Sequence, residues 1–145
     1  MSENRIDERV LREVIERSWS KETCQEPDKW TTENIAAGQC VPTALVVQDF
    51  LGGKIIRLDL SKSKNQTVAE VRSHYFNEID GKRVDFSEKQ FKWLLGEVRR
   101  LLKSPKNVSE CERENLLESK CNSSRYLILR SAVLKNLEKT GEKKA

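Results

Sequence analysis

The feature that most constrains this chain is an apolar run from Val41 to Leu51, which carries helix signals at both ends. Pro42 suits the first turn of a helix, where its missing N–H is not needed. Gly52-Gly53 follows the run and supplies the positive φ at which many helices end. The run is apolar along one side and long enough for a central helix. We therefore expect the fold to be built around it.

Strand patterns follow this helix directly. Residues 54–60 alternate between apolar and polar side chains, which predicts a strand. After a polar turn over 61–67, residues 68–79 read as a second strand region. Asp80-Gly81 is a strong signal for a two-residue hairpin turn, so Lys82 to Phe86 is the predicted return strand. These segments predict a small antiparallel sheet beside the central helix.

Helices are predicted on either side of these elements by amphipathic spacing and by capping-box patterns. The order of helix, loop, helix, three strands and further helices indicates an α+β fold. The predicted helices cover 6–18, the segment between the capping box Ser87–Gln90 and Pro105, a short stretch with Cys111, Leu116 and Leu117 opened by a second capping box at Ser109 and Glu112, and 124–137. A polar loop over 20–37 links the first helix to the second.

The length of 145 residues fits one domain. We expect a core over 6–103, a C-terminal helical extension over 109–138 and a frayed basic tail over 139–145. The net charge of +4 is spread among interleaved acids and bases, without the basic stripe of a nucleic-acid interface. Neither a leader nor a membrane span is visible, so we expect a soluble, cytoplasmic protein that does not bind membranes.

Cysteine and histidine usage narrows the chemistry further. The chain has four cysteines, one histidine and no Cys-x-x-Cys pair. In a reducing compartment these thiols should remain free. The pattern does not match a zinc site, so we expect neither a metal nor another cofactor.

Cys40 is the candidate nucleophile because it lies two residues before Pro42, at the start of the central helix. A thiol attacks carbon as the thiolate, and a helix N-terminus or a neighbouring imidazolium favours that form. The backbone N–H groups of the same turn, including that of Val41, can stabilise an oxyanion. The alternative is a buried cysteine with a structural role only.

The hairpin supplies a possible base and its orienting group. With Asp80-Gly81 as the turn, Phe76 lies opposite Asp85, and His74 is a diagonal neighbour of Asp85 on the same face. Asp85 would then orient His74, and His74 would deprotonate Cys40. A shift of one residue in the turn would undo this geometry and leave Asn77 or Glu78 as the orienting candidate.

A family resemblance is carried by many residues that match in order, most of them between Trp19 and Phe91. The chain resembles the small, poorly characterised bacterial YunG-like proteins. The residues that carry the resemblance are Trp30, Asn34, Gly38-Gln39-Cys40, Thr43 to Asp49, Gly52-Gly53, His74 to Asn77, Asp80-Gly81, Val84-Asp85 and Gln90-Phe91, and more faintly Arg125-Tyr126 and Leu129.

The order of cysteine on a helix, then histidine and aspartate on strands, also resembles papain-like and transglutaminase-like cysteine enzymes. This resemblance implies their fold, with Cys40 as nucleophile, His74 as general base and acid, and Asp85 as orienting group. Four further residues are candidates for contacts with the oxyanion or the substrate. They are Gln39, Val41, Trp30 and Phe76.

Our leading hypothesis is a cysteine peptidase, amidase or deamidase that forms an acyl-enzyme on Cys40, with hydrolysis favoured over transfer to an amine. Its substrate would be a peptide or protein. An alternative is an inactive protein of the same fold that binds a peptide or protein partner. A third is an effector that modifies one host protein.

Overall fold

The computed structural model describes residues 6–36 and 38–140 and has an α+β architecture with one antiparallel sheet. Two 3₁₀ turns, Lys21–Thr23 and Pro27–Lys29, lie in the loop before the central helix. The predicted frayed tail falls partly outside the described residues, because the last helix continues to Lys139 and residues 141–145 are not described. The helices are α1 (Glu8–Ser18), α2 (Cys40–Leu51), α3 (Gln66–Val71), α4 (Leu95–Leu102), α5 (Arg113–Leu117) and α6 (Lys120–Lys139), and the strands are β1 (Lys54–Asp59), β2 (Ser73–Ile79), β3 (Lys82–Val84) and β4 (Val108–Cys111).

The hairpin between β2 and β3 has the predicted register, with Ile79 opposite Lys82. Asp80 and Gly81 both have positive φ, 54° and 79°, as a type I′ turn requires. The strand order is β3-β2-β1-β4, so β2 is an inner strand that pairs with both β1 and β3. The predicted return strand, Lys82 to Phe86, is too long: β3 ends at Val84, and Asp85 lies directly after it, outside the paired residues.

The prediction of a capping box at Ser109 is wrong. Residues Val108–Cys111 form strand β4, which pairs antiparallel with β1. The helix begins only at Arg113, so Cys111 ends a strand. The backbone hydrogen bonds offered by the open edge of β1 decided between strand and helix, and the local sequence pattern does not contain them.

The long second strand region is also wrong at its start. Gln66–Val71 is a short helix whose N-cap, Asn65, accepts a hydrogen bond from the Val68 backbone N–H. Val68 and Val71 lie three residues apart, a spacing that fits a helix as well as an irregular strand. The strand β2 begins only at Ser73.

The predicted helix after Ser87 is broken in two. A 3₁₀ helix over Glu88–Leu94 has a non-helical residue, Lys92, with φ 51° and ψ −123°. The Ser87 side chain makes no capping hydrogen bond, so the predicted capping box is absent. A regular helix starts only at Leu95.

Both faces of the sheet are covered. Helix α2 packs on one face, against the apolar side chains of Ile55, Ile79 and Val84, and helices α1 and α6 pack on the other side of α2. The Glu88–Leu94 segment and α4 pack on the other, against Leu58 and Phe76. The face that carries His74 is therefore also a core face. Within residues 6–36 and 38–140, no helix has the length and apolar character needed to cross a bilayer.

Candidate functional site

Cys40 is the first residue of α2 and lies at an open cleft of about 510 Å³. Its residue surface is 5% exposed. The N-cap residue, Gln39, makes no side-chain capping bond, and Pro42 has no N–H to offer. The N–H groups of Cys40 and Val41 therefore provide the positive end of the helix beside the thiol.

The backbone before Cys40 is held tightly in place. The Gln39 amide accepts a hydrogen bond from the Thr23 hydroxyl at 2.6 Å and donates one to the Ser20 carbonyl at 3.0 Å. Gly38 has φ 67°, and a Cβ built there would lie 2.7 Å from the Cys24 sulfur. Only glycine combines this φ with this close approach, so the backbone that leads into α2 depends on Gly38.

His74 and Asp85 form a buried pair. His74 Nε2 lies 2.7 Å from Asp85 Oδ2, and the two side chains are 1% and 4% exposed. The pairing is the diagonal contact that the hairpin register predicted. Asn77 does not take the orienting role, because its amide donates to the Ala44 carbonyl at 3.0 Å. Arg83 lies 3.6 Å from Asp85 Oδ2 and adds a positive charge at the rim.

The surroundings of His74 favour its protonated form. Burial alone would lower the pKa of His74. The charge and hydrogen bond of Asp85 act in the opposite direction, and a hydrogen bond with the Cys40 thiol adds to them, so that the pKa rises to about 10. The His74 ring is thus bound by Asp85 at Nε2 and also interacts with the Cys40 thiol.

Gln90 belongs to the site, although the sequence pattern gave it only as the end of a predicted capping box and as one of the residues that carry the family resemblance. Its Nε2 lies 3.1 Å from His74 Nδ1, the ring nitrogen not used by Asp85. Its Oε1 accepts a hydrogen bond from the Gly38 N–H at 3.1 Å, which fixes the orientation of the amide. The Gln90 NH₂ therefore faces Nδ1 and donates to it only when that nitrogen carries no proton, so this contact favours the neutral ring, in opposition to Asp85. No spacing rule predicts this contact, since Gln90 lies on an irregular 3₁₀ segment.

Phe91 is a second residue of the site that the sequence gave only as part of the family resemblance. Its ring meets the His74 ring edge-on, with centroids 5.0 Å apart, and it lines the cleft together with Cys40 and Gln90. This packing fixes the plane of the imidazole. Being apolar and next to the predicted capping box, Phe91 read as a core position of a helix.

The four residues predicted to contact the oxyanion or the substrate lie in different surroundings. Gln39 is fully buried and both ends of its amide are bonded within the fold. Trp30 donates its indole N–H to the Ile35 carbonyl. The side chains of Val41 and Phe76 belong to the two cores, one on each face of the sheet. Of the four, Val41 alone offers a group next to Cys40, namely its backbone N–H in the first turn of α2.

The other cysteines lie apart from this contact with His74, and all four thiols are free. Cys24 lines the same cleft and donates to the Glu26 carbonyl at 3.1 Å. Across the part of the chain that the structure describes, no three histidine, cysteine, aspartate or glutamate side chains come together as metal ligands.

Comparison with known proteins adds the family. The model of the family described as "YunG protein" matches residues 7–138. The chain belongs to the YunG family. It is 28% identical, over 129 residues, to the "Uncharacterized protein YunG" of Bacillus subtilis (strain 168), an alignment that covers 89% of this chain and 93% of that protein. The matched YunG region contains every residue of the site. No solved structure matches the chain.

Proposed function

We propose that the protein is a thiol-dependent acyl-transfer enzyme of peptidase, amidase or deamidase type, with Cys40 as nucleophile. The observation that carries the proposal is that the buried His74 ring contacts both Asp85 and the Cys40 thiol beside an open cleft. A nucleophile, a base and a group that orients the base are the parts that such chemistry needs. A fold of papain-like or transglutaminase-like type remains part of this proposal.

The reaction would begin with attack of the Cys40 sulfur on the carbonyl carbon of an amide. A C–S bond forms, the carbonyl π electrons move onto the oxygen, and the thiol proton is held by the His74 ring. The C–N bond then breaks as His74 returns that proton to the leaving amine. Asp85 accepts the Nε2–H throughout and stabilises the imidazolium.

The negative charge on the carbonyl oxygen would be stabilised at the start of α2. The backbone N–H groups of Cys40 and Val41 have no carbonyl partner one turn earlier within the helix. Together with the helix dipole they form an oxyanion hole. The Gln39 side chain, although adjacent in sequence, is left out because its amide is engaged by Thr23 and Ser20.

Hydrolysis would complete the cycle. Water takes the place of the departed amine, loses a proton to His74 and attacks the thioester carbon. The C–S bond breaks, the acid leaves and the thiol is restored. The cleft, at about 510 Å³, lies within the range of sites that hold small ligands or short peptide segments. We therefore favour a peptide or protein substrate.

Thiol labelling tests the proposal. The protein is treated with iodoacetamide at pH 6.5, and the alkylation of each cysteine is followed by mass mapping. We expect Cys40 to react much faster than the exposed Cys121, because only Cys40 has an imidazolium partner. An acyl-directed activity probe should label Cys40 as well. Slow, equal labelling of all four cysteines would contradict the enzyme and favour a binding protein of the same fold.

A further inference from the structure

The backbone at Arg72 is unusual. Arg72 links α3 to β2 and lies two residues before His74, with φ 74° and ψ −53°. Glycine adopts a positive φ freely, whereas a residue with a Cβ does so at a steric cost. Its carbonyl accepts a hydrogen bond from the Leu60 N–H at 2.8 Å, which holds this conformation. Arg72 therefore stands at a position where glycine would be less strained.

Arg72 also lines the cleft next to Cys40. Four charged residues line it, and two of them, Lys29 and Glu26, form an ion pair at 2.9 Å. Glu70 accepts a hydrogen bond from Gln66 at 3.2 Å. The Arg72 guanidinium makes no hydrogen bond or ion pair within the described ranges. It is therefore an unpaired cation at the edge of the nucleophile's cleft.

We propose that Arg72 binds a carboxylate on the acyl donor, so that the cleft selects substrates with a negative charge close to the reacting carbonyl. This inference rests on the proposed role of Cys40 as nucleophile. The planar guanidinium matches a carboxylate through two parallel hydrogen bonds. Glu70, on the same wall, disfavours a second negative charge, so the selected group carries one carboxylate.

Paired alkylating reagents test the proposal without a known substrate. Iodoacetate and iodoacetamide both transfer a two-carbon group to sulfur with loss of iodide, but only iodoacetate carries a carboxylate. The measured quantity is the ratio of the iodoacetate rate to the iodoacetamide rate at Cys40, divided by the same ratio at the exposed Cys121. We expect this normalised ratio to be about five at low salt and to fall towards one as salt is added.

Substitutions then assign the effect to one side chain. Arg72→Gln and Arg72→Gly should bring the normalised ratio close to one, whereas Arg72→Lys should retain part of it. Lys29→Gln is the matched control, because Lys29 lines the same cleft but is already paired with Glu26. Arg72→Gly should also melt no lower than the wild type, since it relieves the positive φ. An unchanged ratio in Arg72→Gln would overturn the proposal.

The source of the carboxylate is separated by three chloroacetyl compounds, in which sulfur displaces chloride. Chloroacetyl-aspartate amide carries only a side-chain carboxylate, chloroacetyl-asparagine only a terminal one, and chloroacetyl-asparagine amide neither. Faster reaction of one of the first two with Cys40 supports Arg72 and identifies the source. Equal rates for all three would contradict it. The iodoacetamide rate remains the separate test of Cys40, so a reactive Cys40 with no charge preference sinks only the role of Arg72.

Discussion

Cys24 and Cys40 line the same cleft and are both buried, yet their surroundings differ in kind. Burial raises the pKa of the Cys24 thiol, an effect that its hydrogen bond to the Glu26 carbonyl partly offsets. Cys40 instead begins a helix and contacts His74, whose partner is Asp85. We therefore expect the charges around a buried cysteine, rather than its depth, to decide whether its thiol is inert or reactive.

The largest effect should come from removing the base. His74→Ala takes away the imidazolium, so the rate of Cys40 alkylation at pH 6.5 should fall by about a hundredfold, while that of Cys24 stays the same. Mass mapping of both cysteines in one sample measures the two rates together. Fast labelling of Cys40 in this variant would show that His74 does not cause the difference in reactivity between the two thiols.

Gly38 connects the two cysteines physically, and Gly38→Ala should cost about 2 kcal/mol of unfolding free energy, measured by urea denaturation. The added Cβ would lie 2.7 Å from the Cys24 sulfur and 2.9 Å from the Gln25 backbone nitrogen, at a φ of 67°. Adding Cys24→Ala should recover only part of the loss, because the φ and the Gln25 contact remain. Full recovery would show that the sulfur was the sole obstacle.

Asp85→Asn should reduce the difference in alkylation rate between Cys40 and Cys24, but by less than loss of His74 does. Without the carboxylate the pKa of His74 falls from about 10, because burial is then less opposed. Cys40 alkylation at pH 7 should drop by about tenfold, with Cys24 again unaffected. Arg83→Gln serves as the control for loss of a neighbouring charge. Arg83 lies 3.6 Å from Asp85, and the hydrogen bond between Asp85 and His74 does not involve it.

Asp85→Asn should also change how the stability of the protein depends on pH. A pKa raised in the folded state from 6.5 to about 10 stabilises the fold fully below pH 6.5, and this contribution is lost as the pH rises towards 10. The difference in melting temperature between wild type and Asp85→Asn should therefore be largest near pH 6 and shrink towards pH 10. A difference that grew with pH would mean that His74 is neutral in the fold.

The smallest effect concerns Gln90. Gln90→Glu places an acceptor opposite both the Gly38 N–H and His74 Nδ1, and so favours the imidazolium. Cys40 alkylation at pH 6 should rise about threefold, and the acid limb of its pH profile should move to lower pH. Gln90→Leu, which removes the donor without adding an acceptor, is the matched control and should move that limb in the same direction but by less. No shift in either variant would make Gln90 a packing residue only.

The hairpin could be predicted because its information is local. Asp80-Gly81 specify the turn, the turn specifies the register, and the register puts His74 diagonal to Asp85. The start of α2 at Cys40 likewise follows from Pro42 and the glycines after Leu51. These signals lie within a few residues of what they determine.

Other parts of the fold and site depend on contacts between distant residues. Strand β4 exists because β1 offers it an open edge about fifty residues earlier in the chain. Gln90 reaches Gly38 across a sequence separation of 52 residues, from a 3₁₀ segment that no pattern announced. Residues of this kind are found only once the chain is folded, since their local sequence fits a different element equally well.

The packing of α6 on α2 also bears on the order of events during synthesis. The residues of the site, from Cys40 to Gln90, leave the ribosome well before the helix that covers the back of α2. Arg113 and Tyr126 hold Asp49 near the end of α2, and Asn136 reaches Ser18 across 118 residues. Since the apolar side of α2 has no cover until α6 docks, we expect the thiol to acquire its reactive surroundings late, when nearly the whole chain has been made.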